Sequence, residues 1–342
     1  MRSNRKIAVT GGCGYIGSHA MVDLIGNGWD VFSIDSLVNS NEEVLDGIRA
    51  ITGVPVRNYR IDLAASGAWQ QLLDAEPDVV GVIHFAALKA VGESVKFPMA
   101  YYENNVNALI NTLKWMERAD IRSIIFSSSC TVYGSSSELP VTEQTPFGLA
   151  SSPYGRTKQI GEWILQDLAA AGRCSAISLR YFNPAGAHPS AQIGESPSSP
   201  AQNLVPVITE TAIGKRTGMT VFGEDYPTRD GTCIRDYVYI MDLARAHTLA
   251  LERLLKTGEA PAFDAFNLGI GEGLTVLEMI HAFEKVSGQT LRYQIGARRE
   301  GDMAAVYADS AKARLVLGWS PKGGVEKIMQ TAWEWENKRS HS

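Results

Sequence analysis

Four cysteines in 342 residues, Cys13, Cys130, Cys174 and Cys233, lie far apart in the chain. That spacing offers neither a paired metal site nor a disulfide framework, and it predicts reduced thiols of a cytoplasmic protein. The six histidines, His19, His84, His188, His247, His281 and His341, show no ligand spacing either, so no metal centre is expected. No stretch approaches the roughly 20 apolar residues of a membrane helix, which argues against a membrane partner. The apolar run Ile7-Ala8-Val9-Thr10 follows Lys6 at once, leaving no room for a signal peptide before it. Basic excess is missing too: net charge is −5 and no basic block stands out, so no nucleic-acid partner is expected. Neither Cys130 nor Cys233 has a base nearby in sequence, and both read as small core or near-site thiols.

What is present is apolar and periodic. Hydrophobic residues make up 45%, enough for a sizeable core, and the length suits about two domains. Short apolar runs at 6–10, 30–34, 56–60, 79–85, 123–127 and 176–181 read as strands. Helical patterns at 15–26, 68–75, 101–119 and 154–170 lie between them. Strands that alternate with helices imply βαβ units. The continuous apolar character of the strands implies a parallel sheet covered on both faces. The fold class is therefore α/β, a Rossmann-type doubly wound parallel sheet with a smaller C-terminal α/β domain. From 186 to 201 the chain is rich in turn formers, as in Ser196-Pro197-Ser198-Ser199-Pro200, and reads as a loop into the second unit. Helices are predicted there over 204–213, 276–287 and 325–338. The expected division is 1–185, rejoined by about 236–262, against 186–235 and 263–342.

After the first strand comes Gly11-Gly12-Cys13-Gly14-Tyr15-Ile16-Gly17, which satisfies both G-x-x-G-x-x-G and G-x-G-x-x-G. Glycines between a strand and a helix let the backbone approach a pyrophosphate at the helix N-terminus. The second strand ends in Asp35, whose carboxylate can accept from an adenosine ribose and would repel a 2′-phosphate. That favours NAD over NADP. Asp62-Leu63 after the third strand, and Phe85-Ala86-Ala87 with Lys89 after the fourth, stand at strand C-terminal ends, where ligands sit in such sheets.

Tyr154 and Lys158 are four positions apart, and Ser127-Ser128-Ser129 lies upstream. If Tyr154 opens a helix, Lys158 falls on the same face one turn on. A free phenol has a pKa of about 10; a cation beside it favours the phenolate, and a nearby hydroxyl can orient the same substrate oxygen. The trio suits removal of a hydroxyl proton coupled to hydride transfer.

Beyond these motifs the chain resembles the UDP-glucose 4-epimerase family of the extended short-chain dehydrogenase/reductase superfamily, from Val9 to about Gly318. The resemblance is carried by Val9–His19, by His84–Ser94, by Phe126–Gly134 and by Leu179–Pro189. It continues in Asp230–Tyr237 and in Arg298-Arg299-Glu300-Gly301-Asp302. It implies an isomerase of galactose and wider carbohydrate metabolism. Tyr154 would be the base, Lys158 the group that lowers its pKa and Ser129 the hydroxyl that orients substrate. Dropping a tyrosine from about 10 to about 7 is about 4 kcal/mol, asked of Lys158 and the positive nicotinamide together. The sugar would be oxidised at C4, turned and reduced on its other face, with NAD tightly bound and no net redox change.

The resemblance also assigns cofactor contacts to Gly11, Gly14, Tyr15, Ile16, Gly17, Asp35, Asn39, Ser40, Asp62, Leu63, Phe85, Ala86, Ala87, Lys89, Asn104 and Phe182. It assigns the UDP-sugar to Phe182, Asn183, Asn203, Leu204, Thr220, Phe222, Arg235, Tyr237, Arg299, Asp302 and Val306. Arg235 and Arg299 suit a diphosphate because a guanidinium matches phosphate oxygens.

Departures from the family pattern are small. Ala87 stands where glycine is common, and Cys130 where alanine is. Val306 stands where a bulky tyrosine would exclude N-acetyl groups, so UDP-GlcNAc and UDP-GalNAc are expected as further substrates. A dehydratase of the same fold would carry acidic residues at positions 130 and 131, where this chain has Cys130 and Thr131. Another nucleotide-sugar epimerase, and an NAD-sensing regulator on the same fold, are the remaining alternatives; such regulators tend to lose the Tyr/Lys pair, and Tyr154 and Lys158 are both present here. A homodimer through the helices at 101–119 and 154–170 is implied by the resemblance alone.

Overall fold

In this computed structural model the described residues are 5–73, 76, 78–134, 138–197, 200–256, 261–299 and 302–341. The first half alternates strands and helices: β1 (Lys6–Thr10), α1 (Tyr15–Gly26), β2 (Asp30–Ile34), α2 (Val44–Thr52), which is not among the predicted helices, β3 (Asn58–Tyr59) and β4 (Val79–His84). Then come α3 (Val91–Lys96), α4 (Pro98–Arg118), β5 (Ser123–Ser127), α5 (Pro153–Ala170), β6 (Ser175–Tyr181) and β7 (Asn183–Ala185). The second half holds α6 (Leu204–Ala212), β8 (Met219–Phe222), β9 (Ile234–Arg235), β10 (Tyr237–Tyr239), α7 (Ile240–Leu255) and β11 (Phe263–Leu268). Last are β12 (Leu274–Thr275), α8 (Val276–Ser287), β13 (Tyr293–Gly296), β14 (Ala305–Val306) and α9 (Val325–His341).

Seven strands form one parallel sheet in the order β11-β6-β5-β4-β1-β2-β3. The chain starts in the middle at β1 and winds outward in both directions, which creates a crevice at the strand C-termini between β1 and β4. Side-chain alternation explains the two layers. Ile7 and Val9 of β1 face one core with Met21, Leu24, Leu243 and Leu251, so α1 and α7 cover that side. Ala8, Val82 and Ile124 face the other with Leu109, Leu113 and Leu165, so α4 and α5 cover that side.

Three expectations need correction. Phe263–Leu268 was expected in the second unit, but it pairs with β6 along its length, from Phe263 with Ala176 to Leu268 with Tyr181. The run Phe-Asp-Ala-Phe-Asn-Leu is an edge strand whose polar residues hid it. The pattern at 68–75 gives a short 3-10 helix, Ala68–Leu72, and its last positions, Asp74 and Ala75, lie outside the described residues. The strand expected at 56–60 is reduced to β3, which pairs with β2 through Asn58 and Tyr59. Ser198-Ser199 and Glu300-Gly301 also lie outside the described residues. Among the described residues no helix is long and apolar enough to cross a membrane.

Candidate active site

Two local rules put the catalytic candidates together. α5 starts at Pro153, and Ser152 caps it by accepting from the Gly155 N–H at 3.2 Å, worth about 1 kcal/mol. Tyr154 and Lys158 therefore occupy its first turn and the next, on one face. β5 ends at Ser127, so Ser128 and Ser129 leave the sheet at its C-terminal edge. Ser129 then caps the 3-10 helix Cys130–Tyr133, accepting from the Thr131 N–H at 3.2 Å.

Lys158 is 4% exposed, and its Nζ donates to the Ser127 carbonyl at 2.7 Å. The ammonium stands 5.0 Å from the Phe126 ring centre and 5.7 Å from that of Tyr154. Burial pushes its pKa down to about 8, against an opposing pull from Glu162. On Tyr154 the chain's own groups act in the opposite sense. Burial pushes its phenol up to about 12, the hydrogen bond with Ser129 opposes that, and the Cys130 thiol adds to it. The chain's own groups thus hold Tyr154 as a phenol, and Lys158 alone does not reverse the cost of burial. Burial also pushes the Cys130 thiol up to about 11, which suits a spectator beside the site better than a nucleophile.

The glycine turn fits a dinucleotide. Gly11 has φ +67°, and a Cβ there would lie 2.8 Å from the Ala86 nitrogen and 3.0 Å from the Phe85 carbonyl carbon. A Cβ on Gly17 would lie 2.4 Å from the Gly11 oxygen, so only glycine lets α1 start so close to β1. Asp35 is held at the crevice: one carboxylate oxygen accepts from the Cys13 N–H at 3.0 Å, the other from the Leu37 N–H at 2.9 Å and the Ser40 hydroxyl at 2.8 Å. Each oxygen has two lone pairs, so Asp35 keeps capacity for a ribose hydroxyl. Asn39 is exposed on the same loop.

The remaining cofactor candidates ring this turn. Tyr15 donates to the Gly186 carbonyl at 2.6 Å, and Ile16 is partly buried against the core. Asp62 is exposed and caps its own turn through the Ala64 N–H, while Leu63 is buried. Phe85 packs on His247 with ring centres 4.7 Å apart, and Ala86 N–H donates to the Thr10 hydroxyl at 3.3 Å. Ala87 and Asn104 are half-buried. Lys89 reaches across to Glu195 at 3.4 Å.

Opposite them, the UDP-sugar candidates come from the second half. Asn203 donates to the same Glu195 oxygen at 3.0 Å, and Leu204 opens α6 beside it. Arg235 pairs with Asp302 at 3.3 Å and donates to the Ile234 and Met303 carbonyls. Arg299 lies 4.3 Å over the Phe222 ring, and Thr220 shares that strand. Val306 is in register with Arg235 and joins Phe182, Cys130 and Val132 in a small apolar cluster. Asn183 donates through its backbone and side-chain N–H groups to the Asp236 carbonyl, both at 3.0 Å. Tyr237 is 5% exposed, in the main core.

A dinucleotide turn, an acceptor at the end of β2 and a Ser/Tyr/Lys cluster across the crevice define a nucleotide-dependent redox site. The family model for NAD dependent epimerase/dehydratases matches residues 7–269. The chain belongs to that family. It is 47% identical to the UDP-glucose 4-epimerase of Bacillus subtilis over 332 residues, 97% of this chain and 96% of the relative. The UDP-glucose-4-epimerase of Stenotrophomonas maltophila, crystallised with NAD and formylated UDP-arabinopyranose, superposes with TM-score 0.94 at 42% identity, covering 98% of this chain and 99% of that one. The UDP-Glc/GlcNAc 4-epimerase of Campylobacter jejuni superposes with TM-score 0.83 at 34% identity, covering 98% and 99%. As a family member the chain uses NAD.

Several supporting residues were not legible beforehand. Asn105 accepts from the Leu88 N–H at 2.8 Å and donates to the Leu88 carbonyl and the Thr157 hydroxyl, tying the β4 exit to α5. Asp236 is fully buried and accepts from Ile270, Gly271 and Ala308 N–H groups. Glu162 and Arg180 form a buried pair at 2.7 Å. Glu162 carried a sequence signal, since it lies four residues beyond Lys158 on the same helical face.

Proposed function

We propose that the chain interconverts UDP-glucose and UDP-galactose by inverting C4, through a transient 4-keto sugar, with NAD retained throughout. The observation that carries this reading is the Tyr154 phenol set between the Ser129 hydroxyl and the Lys158 ammonium. Bound NAD supplies a reversible hydride acceptor, and the turn from Gly11 to Gly17 with Asp35 would hold it.

The chain's own residues handle the proton. Tyr154 takes it from the 4-hydroxyl and gives it back, and Ser129 orients the sugar oxygen. A phenol at about 12 is a poor base near neutral pH, so positive charge must lower it. Lys158 brings one charge next to the ring. A bound oxidised nicotinamide would supply the second. The sugar must turn between its two proton transfers while the nucleotide stays fixed. Arg235, Arg299 and Asn203 suit the fixed diphosphate end, and the apolar patch of Phe182 and Val306 suits the moving one.

Val306 has little bulk, and we extend the reading to UDP-GlcNAc and UDP-GalNAc on that basis. The division into a cofactor unit and a UDP-sugar unit is kept, with the return to the first unit extended through β11. The homodimer reading rests on α4 and α5 packing side by side with large apolar side chains left outside, Met99 on α4 at 64% exposure and Trp163 on α5 at 49%. Elution as a monomer at micromolar concentration contradicts it.

The decisive assay incubates the purified protein with UDP-glucose, UDP-GlcNAc and their C4 epimers without added NAD, and follows each pair by anion-exchange chromatography. Equilibration from both directions supports epimerisation. Accumulation of a dehydrated sugar, or no conversion, overturns it.

A further inference from the structure

Lys158 and Glu162 lie four residues apart on α5, the spacing at which a lysine and a glutamate normally pair. Both are buried, where such a pair would be strong, yet among the described residues no ion pair joins them. Glu162 is committed elsewhere. Arg180 on β6 meets its carboxylate with Nε at 3.0 Å and Nη2 at 2.7 Å, a two-pronged contact. The Ser128 hydroxyl donates to the same carboxylate. Arg180 is in turn fixed by the Tyr133 hydroxyl at 3.0 Å.

The geometry points to Glu162 and Arg180 as the positioning pair of the active site. Arg180 draws the Glu162 carboxylate away from Lys158, leaving the Lys158 ammonium to the Ser127 carbonyl and the Tyr154 ring, while Glu162 pins Ser128 between the two serines the site uses. This rests on the reading of Tyr154 and Lys158 as the proton-transfer pair. α5 and the end of β5 are clamped at adjacent points: Lys158 on Ser127, Glu162 on Ser128. Ser129 projects from the clamped segment. Ser128 is also held by its N–H on the Leu179 carbonyl at 3.0 Å, next to Arg180.

Charge balance decides the test. The groups that act on Lys158 and Tyr154, or are acted on by them, are Glu162 on α5, Tyr181 on β6, His84 on β4, Tyr101 on α4, and Ser129 and Cys130 at the 3-10 helix; Arg180 and Tyr133 meet Glu162 and each other. Arg235 and Asp236 act on Cys130. His84 is pushed down to about 3 by burial and by Lys158, so it stays neutral in the working range. Glu162, which acts on Lys158, and its partner Arg180 are therefore opposed charges that a substitution can unbalance. Removing Arg180's charge leaves a bare carboxylate that opposes the Tyr154 phenolate and attracts Lys158. Removing Glu162's charge leaves a bare guanidinium that favours the phenolate.

The experiment measures kcat/KM against pH for UDP-galactose with the NAD-loaded full chain. The variants are Arg180→Met, Glu162→Gln, the double variant, Arg180→Lys and Ser128→Ala, each checked by thermal unfolding. The expected result is opposite displacement of the acidic limb, by about half a pH unit or more. It moves up in Arg180→Met, down in Glu162→Gln and back in the double variant. Arg180→Lys and Ser128→Ala keep the charges, so they are the arms that decide if the others do not fold. Ser128→Ala should lower kcat about tenfold, with KM within twofold and the limb unmoved; Arg180→Lys should leave the limb unmoved. A limb that coincides with wild type in folded Arg180→Met and Glu162→Gln, or unaltered kcat in Ser128→Ala, overturns the positioning role. Failure of the wild-type protein to epimerise would instead sink the functional reading.

Discussion

The Lys158 ammonium donates to the Ser127 carbonyl oxygen at 2.7 Å, joining the first turns of α5 to the end of β5. That single contact holds a buried cation 5.7 Å from the centre of the Tyr154 ring. A charge so placed has its effect on the phenol, because the interior screens it poorly.

Lys158→Met removes this cation while keeping side-chain length. Tyr154 is already pushed up to about 12, and losing the cation moves it further up in the bound complex. The expected outcome is a kcat lowered about 100-fold or more, with the acidic limb of the pH profile displaced upward. Above about pH 8, where Lys158 begins to lose its own proton, the gap between wild type and variant should narrow. Stopped-assay rates from pH 6 to pH 10 check both. A limb displaced downward would contradict the assignment.

Tyr154→Phe removes the proton acceptor and little else. Epimerisation should fall by roughly 10²–10⁴-fold, the range of general-base contributions. Co-purifying NAD should remain, because the glycine turn and Asp35 are untouched. Turnover and released NAD, measured on the same preparation, separate the two effects.

Gly11→Ala attacks the cofactor turn. At φ +67° a side chain costs about 1–2 kcal/mol of backbone strain, and the new Cβ would meet the Ala86 nitrogen at 2.8 Å. The variant should lose co-purifying NAD and melt at a lower temperature. Normal NAD content after desalting would show that the turn does not hold the cofactor.

Val306→Tyr tests the sugar pocket. Val306 sits in the small apolar cluster with Phe182 and Cys130, in register with Arg235. Filling that space should abolish turnover of UDP-GlcNAc while leaving UDP-glucose within about tenfold, the scale on which a pocket discriminates by size. Equal loss on both substrates would place Val306 in general packing.

How much of this was legible in the sequence depends on how local the cause is. β1, α1, β2, β5 and α8 fall within the predicted bounds, because an apolar run or stripe ends at its own glycine, serine or cap. Thr275 and Glu278, for instance, form a complete capping box at the start of α8. The placement of Tyr154 and Lys158 on one face of α5, and of Ser129 just past β5, was legible because one helical turn and one strand end fix it. What failed was set from far away. α2 carries Gly47 inside it, and that glycine is required by the close approach of the Gln192 carbonyl, 2.5 Å from where a Cβ would sit. β11 is identified by its pairing with β6, not by its own pattern. The partners of Glu162 and Asp236 come from other strands and loops, and no spacing announces them. The burial that pushes the Tyr154 phenol up is likewise not displayed by a sequence.

The central claim is that hydride leaves C4 and returns to C4 without leaving the site. UDP-galactose deuterated at C4, incubated in ordinary water with the purified protein and no added NAD, tests it most directly. The account predicts UDP-glucose that keeps the deuterium at C4, read by mass and proton NMR spectra. Loss of the label to solvent, or no conversion without added cofactor, would contradict it.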